Sequence, residues 1–303
     1  MTDFSSPGAL RIAVIGVGGI GSTFAFHLAR YGGHAVTVIA RPGSAHLEHL
    51  LIDSGIISIT GEHAAVGVTD TLDEAVPYDL VVVTLLAHQV DAVLPALKRS
   101  AARNILFMFN NFDPDRLRDI IGTERSAFGM PFVQASSAKD GRLKAVVGAG
   151  GQKTKISDQR WVDLFSKAGL PAVLETDMLL WLQCHAPLCV AFESISIAAV
   201  RRGTGASWKE ALIVARGTHE SFRLIRALGT SLYPSGKAWL ARSPVWVVAS
   251  MLWAISRVRS FRELLATGEG ECGALIETMA DASQRSNIRI DASKIRAMAP
   301  AAL

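Results

Sequence analysis

The hexapeptide Gly16-Val17-Gly18-Gly19-Ile20-Gly21 constrains this chain more than any other stretch. It follows a short apolar run, LRIAVI, of the buried-strand type, and it opens a helical pattern, STFAFHLARYG, that stops at Gly32-Gly33. Glycines occupy the three positions of a GxGxxG fingerprint. Gly16 permits a tight turn, Gly18 lets the backbone approach a pyrophosphate, and Gly21 lets helix and strand pack closely. Free N–H groups at the helix start then bind phosphate oxygens. The motif is weak by itself, but a strand before it and a helix after it form the βαβ context it needs. The loop from Gly16 to Gly21, with Val17, Gly19 and Ile20, is therefore the expected phosphate cradle. The competing reading is a purely structural glycine turn.

The end of the second expected strand bears on which nucleotide is held. A ribose 2′-hydroxyl is usually bound by an acid about 20 residues past the fingerprint. Here AVTVIA runs into Arg41-Pro42 with no acid. Arg41 can pair with a 2′-phosphate, and Ser44 at the next helix start can add hydrogen bonds. NADP(H) rather than NAD(H) is expected, against a reading of Arg41 as a solvated loop residue.

Downstream, strand and helix patterns alternate. A helix is expected over 44–51, short strands over 57–59 and 65–68, and a strong strand over 80–85. A helix over 88–102 leads to the strand ILFMF and Asn110-Asn111. Residues 126–154 read as short strands with turns, an antiparallel extension of the sheet. A helix over 157–168 and a strand over 172–174 close this half. Beyond Thr176 only helical patterns appear, over 177–201, 207–229, 244–266 and 270–286, with breaks at 202–205, 233–236 and Gly268. The expected fold class is α/β: a Rossmann-type, doubly wound parallel sheet over 1–176, then an all-helical domain over 177–303.

Composition narrows the function classes. Half the chain is hydrophobic and 19% is charged, which suits a globular protein with a sizeable core. The richest apolar runs, 187–200 and 244–255, fall short of the ~20 residues of a membrane span and read as buried helices. Met1 to Leu10 shows no secretory signal. Cys184, Cys189 and Cys272 form no CxxC pair, which fits a reducing cytoplasm and argues against a zinc site. Net charge is +4, but eleven Lys/Arg against two Glu fall between Arg201 and Arg262. Lys209, Arg216 and Arg223 share one helical face. That face is either solvated or a field for an anionic ligand. It lacks interleaved aromatics, so no nucleic acid is expected. Trp181, Trp208, Trp239, Trp246 and Trp253 read as core residues, and the seven-residue spacing of Trp246 and Trp253 suits helix packing.

In order and spacing, several pieces resemble the ketopantoate reductase family. They are GVGGIG, Arg41 after the second strand, Val83-Thr84-Leu85-Leu86-Ala87-His88-Gln89-Val90, Phe109-Asn110-Asn111, Trp181, and Gly270-Glu271. The resemblance runs over most of the chain. It implies an N-terminal Rossmann domain, a helical domain of the 6-phosphogluconate-dehydrogenase C-terminal type, and NADPH in a cleft between them. It also implies that Gln89 and Asn110 touch the cofactor and that Glu271 contacts substrate and cofactor.

The departures from the family pattern carry chemical meaning. Leu86 stands where VTLKAxQV has its lysine. The motif W-x-K-x-x-x-N, with the catalytic lysine and a substrate-holding asparagine, falls on Trp181, Gln183 and Pro187. Reducing a ketone builds an alkoxide, which needs a proton or positive charge nearby. Gln183 can donate a hydrogen bond but cannot give up a proton at useful pH. His185 is the expected replacement acid, although it lies two residues on, about 200° round a helix from position 183. Cys184 reads as a small buried apolar residue, and His88 and His219 as lesser candidates.

Two functional readings follow. The first is an NADPH-dependent oxidoreductase that transfers a hydride to a ketone or imine of a small substrate other than ketopantoate. The second is an NADP(H)-binding sensor or partner protein without turnover. The apolar helices after residue 187 leave room for a homodimer interface.

Overall fold

The computed structural model describes residues 8–138, 140–266 and 269–300. The leader reading at the N-terminus and the break at Gly268 fall on residues outside these. By contacts the chain divides into two compact units. The first is Met1–Phe109 with Asp115–Met178, and the second is Asn110–Pro114 with Leu179–Leu303.

The first unit is built on an eight-stranded sheet. Its strands are β1 (Arg11–Ile15), β2 (Ala35–Ile39), β5 (Gly67–Thr69), β6 (Leu80–Val83), β7 (Ile105–Met108), β8 (Ser126–Met130), β11 (Thr154–Ile156) and β12 (Ala172–Leu174). The order is β5-β2-β1-β6-β7-β8-β11-β12. Every pairing is parallel except β8 with β11. The order reverses between β1 and β6, the switch point at which doubly wound sheets bind ligands. Register places Ile15 beside both Ile39 and Val83, so Gly16, Ala40 and Thr84 emerge together at one edge.

The central strands β6 and β7 are buried throughout, as strands covered on both faces must be. Helices α1 (Gly19–Arg30), α2 (Ala45–Ile52), α3 (Leu94–Arg99), α4 (Pro114–Ile121) and α5 (Gln159–Lys167) accompany the sheet. Two antiparallel pairs stand apart from it: β3 (Gly55–Ile57) with β4 (His63–Ala65), and β9 (Val133–Ser137) with β10 (Leu143–Val147).

Several expectations need correction here. The antiparallel extension over 126–154 is only partly one, because β8 is parallel to β7 and β9–β10 forms its own hairpin. The helix expected over 88–102 is a 3-10 turn, Ala87–Ala92, followed by α3. Pro95 lacks an N–H, and its ring disfavours the helical carbonyl four residues back, which suits a break here, with Pro95 in the first turn of α3.

The second unit consists of helices α6 (Met178–Arg202), α7 (Trp208–Ala227), α8 (Ser235–Arg242), α9 (Val245–Ile255), α10 (Arg259–Leu265), α11 (Glu269–Ala282) and α12 (Ala292–Arg296). No strand occurs there among the described residues. Helix α7 opens with a capping box: Ser207 Oγ accepts from Glu210 N, and Glu210 Oε2 accepts from Ser207 N. The helix expected over 244–266 breaks at Ser256. Its hydroxyl donates to Trp253 O at 2.7 Å and accepts from Ala206 N at 3.1 Å, a local bond that competes with the helical ladder. Helices α8 and α12 were not expected at all.

The tryptophans also depart from expectation. Trp181 is buried, but Trp208, Trp239, Trp246 and Trp253 are exposed, the middle two more than 60%. Arg257 stacks over Trp253 at 3.4 Å. Helix α6 is long and apolar enough to cross a membrane by length and composition, unlike the shorter run read from the sequence. More than half of its apolar window is buried within the protein, as in a core helix.

Candidate functional site

The glycines after β1 do different work. Gly16 has φ +94°, a conformation that strains any side chain, and it turns the chain out of the strand. A Cβ on Gly21 would stand 1.8 Å from the Gly16 carbonyl oxygen and 2.5 Å from Thr84 Oγ1. Helix α1 can therefore lie against the turn only because position 21 is bare. A Cβ on Gly18 would meet nothing within 4 Å. Gly18 is also the N-cap of α1, and no side chain caps it. An open backbone at a helix N-terminus, behind a left-handed turn, fits a pyrophosphate.

Around this loop, Gly19 is pressed from outside by β9, since its Cβ would lie 2.6 Å from Ala135 O. Val17 is buried, Ile20 is half-buried, and Ser22 Oγ donates to Val17 O at 3.1 Å. Thr84 Oγ1 donates to Gly16 O at 2.6 Å and ties the end of β6 to the turn.

Arg41 follows β2 at the same edge of the sheet. It is exposed and, among the described residues, it has no acidic partner. Ser44 caps α2: its hydroxyl accepts from Leu47 N at 3.3 Å, and its own N–H donates to Arg41 O at 3.2 Å. Ser44 thus shapes the loop that presents Arg41. Gln89 is exposed, and its amide oxygen caps the 3-10 turn by accepting from Leu86 N at 3.2 Å. His88 in the same turn is exposed, as is Leu86.

In the helical unit, four residues of α6 spaced four apart carry one stripe: Trp181, His185, Cys189 and Glu193. Such spacing puts them on adjoining turns of one face. His185 packs on Trp181, ring centroids 4.2 Å apart. Lys237 of α8 sits over the same ring, Nζ 4.2 Å from its centroid, and donates to Trp181 O at 3.1 Å. Cys189 Sγ donates to Asn110 Oδ1 at 3.0 Å. Asn110 also hydrogen-bonds Glu271 through side chain and backbone.

Glu271 is buried, which raises its carboxyl to about 7 against the pull of Asn110. Glu193 is raised to about 8 by burial and by the charge of Glu271, and its Oε2 finds no hydrogen-bond partner. Burial holds the Cys189 thiol well above its ordinary value, and the same two carboxyls reinforce it. Near neutrality the two carboxyls share at least one proton, held mainly by Glu193, beside a thiol and an amide, so the pair can donate as well as accept.

The structure brings some expected residues together and separates others. His185, Asn110 and Glu271 join the stripe or its neighbours. Gln183 does not: its Oε1 lies 3.3 Å from Thr230 Oγ1. The expected angular separation of positions 183 and 185 is realised in their different partners. Pro187 continues α6 but lacks the N–H that would bond the Gln183 carbonyl.

Cys184, read as merely apolar, joins two elements. Its Sγ donates to Ser231 O at 3.8 Å and accepts from Tyr233 N at 3.5 Å. His219 on α7 is half-buried with Nε2 unpartnered, and burial disfavours its charged form. Reasoning from sequence missed Cys189, Glu193 and Lys237. The four-residue spacing from His185 could have found the first two. Nothing local marks Lys237, which reaches Trp181 from another helix.

A mostly parallel sheet with a glycine loop at its switch point, together with a helical unit, defines a Rossmann-type fold with a helical domain. Residues 12–160 match the model of the ketopantoate reductase PanE/ApbA family. Through this region, just under half of the chain, the sequence is similar to that family of reductases. The fold extends the likeness over nearly the whole chain. A PanE/ApbA family ketopantoate reductase from Ralstonia eutropha JMP134 superposes with TM-score 0.72 at 19% identity, covering 95% of this chain and 96% of the other.

D-mandelate dehydrogenase in complex with NADH superposes with TM-score 0.69 at 13% identity, covering 95% of each chain. A dimeric ketopantoate reductase from Staphylococcus aureus does so with TM-score 0.61 at 15% identity, covering 95% and 96%. At such identities the likeness is one of fold. Comparison with curated proteins gives no match.

Proposed function

We propose that this protein is an NADPH-dependent oxidoreductase that reduces a ketone or imine of a small substrate other than ketopantoate. The observation that carries the reading is Gly18: an open backbone at a helix N-terminus where a Cβ would meet nothing within 4 Å. Gly16 to Gly21 would hold the pyrophosphate, with Arg41 and the loop shaped by Ser44 on the 2′-phosphate. When bound, the reduced nicotinamide supplies a hydride. Preference for NADPH rests on the exposed Arg41 and the absence of an acid after β2, although the mandelate dehydrogenase relative was solved with NADH.

The helical unit supplies the acid–base groups in this reading. Glu193 holds a proton near neutrality and Glu271 is poised to exchange one, Asn110 orients Glu271, and His185 lies one turn from Cys189. Gln183 contributes through a hydrogen bond at most. Leu86, Gln183 and Pro187 remove groups with which the family holds ketopantoate. The same three losses favour the second reading, an NADP(H) sensor without turnover. The three cysteines are free thiols, consistent with a reducing cytoplasm. The dimeric relative and the exposed tryptophans of α7–α9 support assembly as a homodimer.

The test is oxidation of NADPH, followed by absorbance, against a panel of ketones, 2-oxo acids and cyclic imines that includes ketopantoate. The oxidoreductase reading expects turnover with at least one compound and a poor rate with ketopantoate. A protein that binds NADPH but oxidises it with none of them is the sensor.

A further inference from the structure

We infer that a cleft between α7 and the 289–294 segment binds a small polyanion, a phosphate ester or a di- or tricarboxylate. The cleft lies wholly within the helical unit, so the inference stands apart from the oxidoreductase reading. The basic face of α7 carries Lys209, Arg216 and Arg223, and the last of these lines the cleft. Its volume is about 380 Å³, and its walls include Glu220, Arg223, Arg289, Asp291 and Lys294. That is room for a small ligand.

The cleft is held open by built contacts. Helix α12 lies close on α7 because Gly217 is bare: a Cβ there would stand 2.2 Å from Met298 Cγ and 2.6 Å from Lys294 O. Glu220 is only 4% exposed, and a buried carboxylate must be paired. Its Oε1 accepts from Asp291 N at 2.8 Å, and both its oxygens accept from Arg223 Nη1 at 2.9 Å. One buried group thus fixes the guanidinium of one wall and the backbone of the other.

Both acids of the cleft are engaged by the protein. Glu220 is matched by Arg223. Asp291 Oδ1 accepts from the backbone and the hydroxyl of Ser293, and its Oδ2 faces Lys294 Nζ at 3.2 Å. The cations are not matched in the same way. Glu220 takes only Nη1 of Arg223, whose side chain is otherwise more than half exposed, so Nε and Nη2 are left over. Arg289 is exposed and has no acidic partner among the described residues. Three cations against two carboxyls leave the cleft with one net positive charge. A guanidinium fork fits a pair of oxygens on phosphate or carboxylate. Two forks in one cleft suit a ligand with several anionic oxygens. The surplus of Lys and Arg between Arg201 and Arg262 supplies a field that draws such a ligand in.

The test is calorimetric titration of the whole protein with pyrophosphate and with citrate, against sodium chloride of matched ionic strength. The wild type should bind at least one of the two saturably, and the tighter one tells phosphate ester from polycarboxylate. Arg289→Ala should weaken that binding ~10-fold or more, and Arg289→Glu should abolish it. Arg216→Ala, on the same face of α7 but outside the cleft, should stay within ~2-fold of the wild type. Melting temperatures without ligand check that the variants fold. The loop Gly16 to Gly21 is intact in all of them, so an anion held there is unaffected by position 289.

Unchanged binding of both anions in Arg289→Glu overturns the inference, as does a wild type that binds neither beyond the chloride control. Equal weakening in Arg216→Ala and Arg289→Ala overturns it too, because the basic face would then act as a diffuse field.

Discussion

Gly18 and Gly21 differ by three positions and by opposite demands. Gly21 is bare because the protein itself fills the space, whereas a Cβ on Gly18 would meet nothing within 4 Å and its bareness is assigned here to the proposed pyrophosphate. Gly21→Ala should destabilise the protein by ~2–3 kcal/mol, since its methyl meets backbone that cannot yield. Gly18→Ala sits on extended backbone with φ −68° and ψ −173° and clashes with nothing, so its stability should stay within about 1 kcal/mol. It should nevertheless weaken nucleotide binding ~10-fold or more, because its methyl enters the space proposed for the pyrophosphate. Denaturant unfolding and nucleotide titration of both variants check the contrast.

At this scale the sequence was informative wherever function depends on backbone. The tight turn at Gly16 and the close packing at Gly21 were legible, and so was the lack of an acid beside Arg41 among the described residues. Side-chain alliances were not. Gln89 and Ser44 turned out to cap helical turns, and Cys184 to join a loop to α6.

At the scale of the element, α6 carries the acid–base stripe. Glu193 and Glu271 have folded-state values near 8 and 7, above the ordinary 4.5 of an unfolded chain. The folded state therefore binds more protons than the unfolded state between these values. Stability is greatest below about 4.5 for this pair and falls as pH rises toward 8. Glu193→Gln removes a proton-binding site and relieves Glu271 of a like charge. The drop in melting temperature between ~pH 5 and ~pH 9 should be clearly smaller in the variant than in the wild type. An equal or larger drop would mean that Glu193 is ionised without penalty.

The stripe was half legible, because His185, Cys189 and Glu193 follow a helical step that can be counted. Its completion was not, because Lys237 lies on α8. That helix is only eight residues long and begins beside Pro234, in a segment whose Tyr-Pro-Ser-Gly text reads as a turn. The break at Ser256 was hidden for a related reason. A hydroxyl finding a distant backbone N–H is a tertiary event with no local signature.

At the scale of the whole molecule, the alternation of strand and helix, then helix alone, was enough to anticipate an α/β sheet followed by helices. The strand order follows from handedness and short connections once the sheet is parallel. The surface was the least legible part. Trp246 and Trp253 look like core residues by type and spacing, yet both are exposed. Burial depends on what packs against a helix, and periodicity within it does not tell. The central claim of the proposed function is that the first unit holds a reduced nicotinamide nucleotide.

The measurement that tests this most directly is titration of the purified protein with NADPH and with NADH by tryptophan fluorescence quenching, with Arg41→Ala in the same run. The account predicts tighter binding of NADPH, at least ~10-fold, and a gap that closes in the variant because NADPH affinity falls while NADH affinity holds. A protein that binds neither nucleotide, or that binds NADH as tightly as NADPH with Arg41 intact, would contradict it.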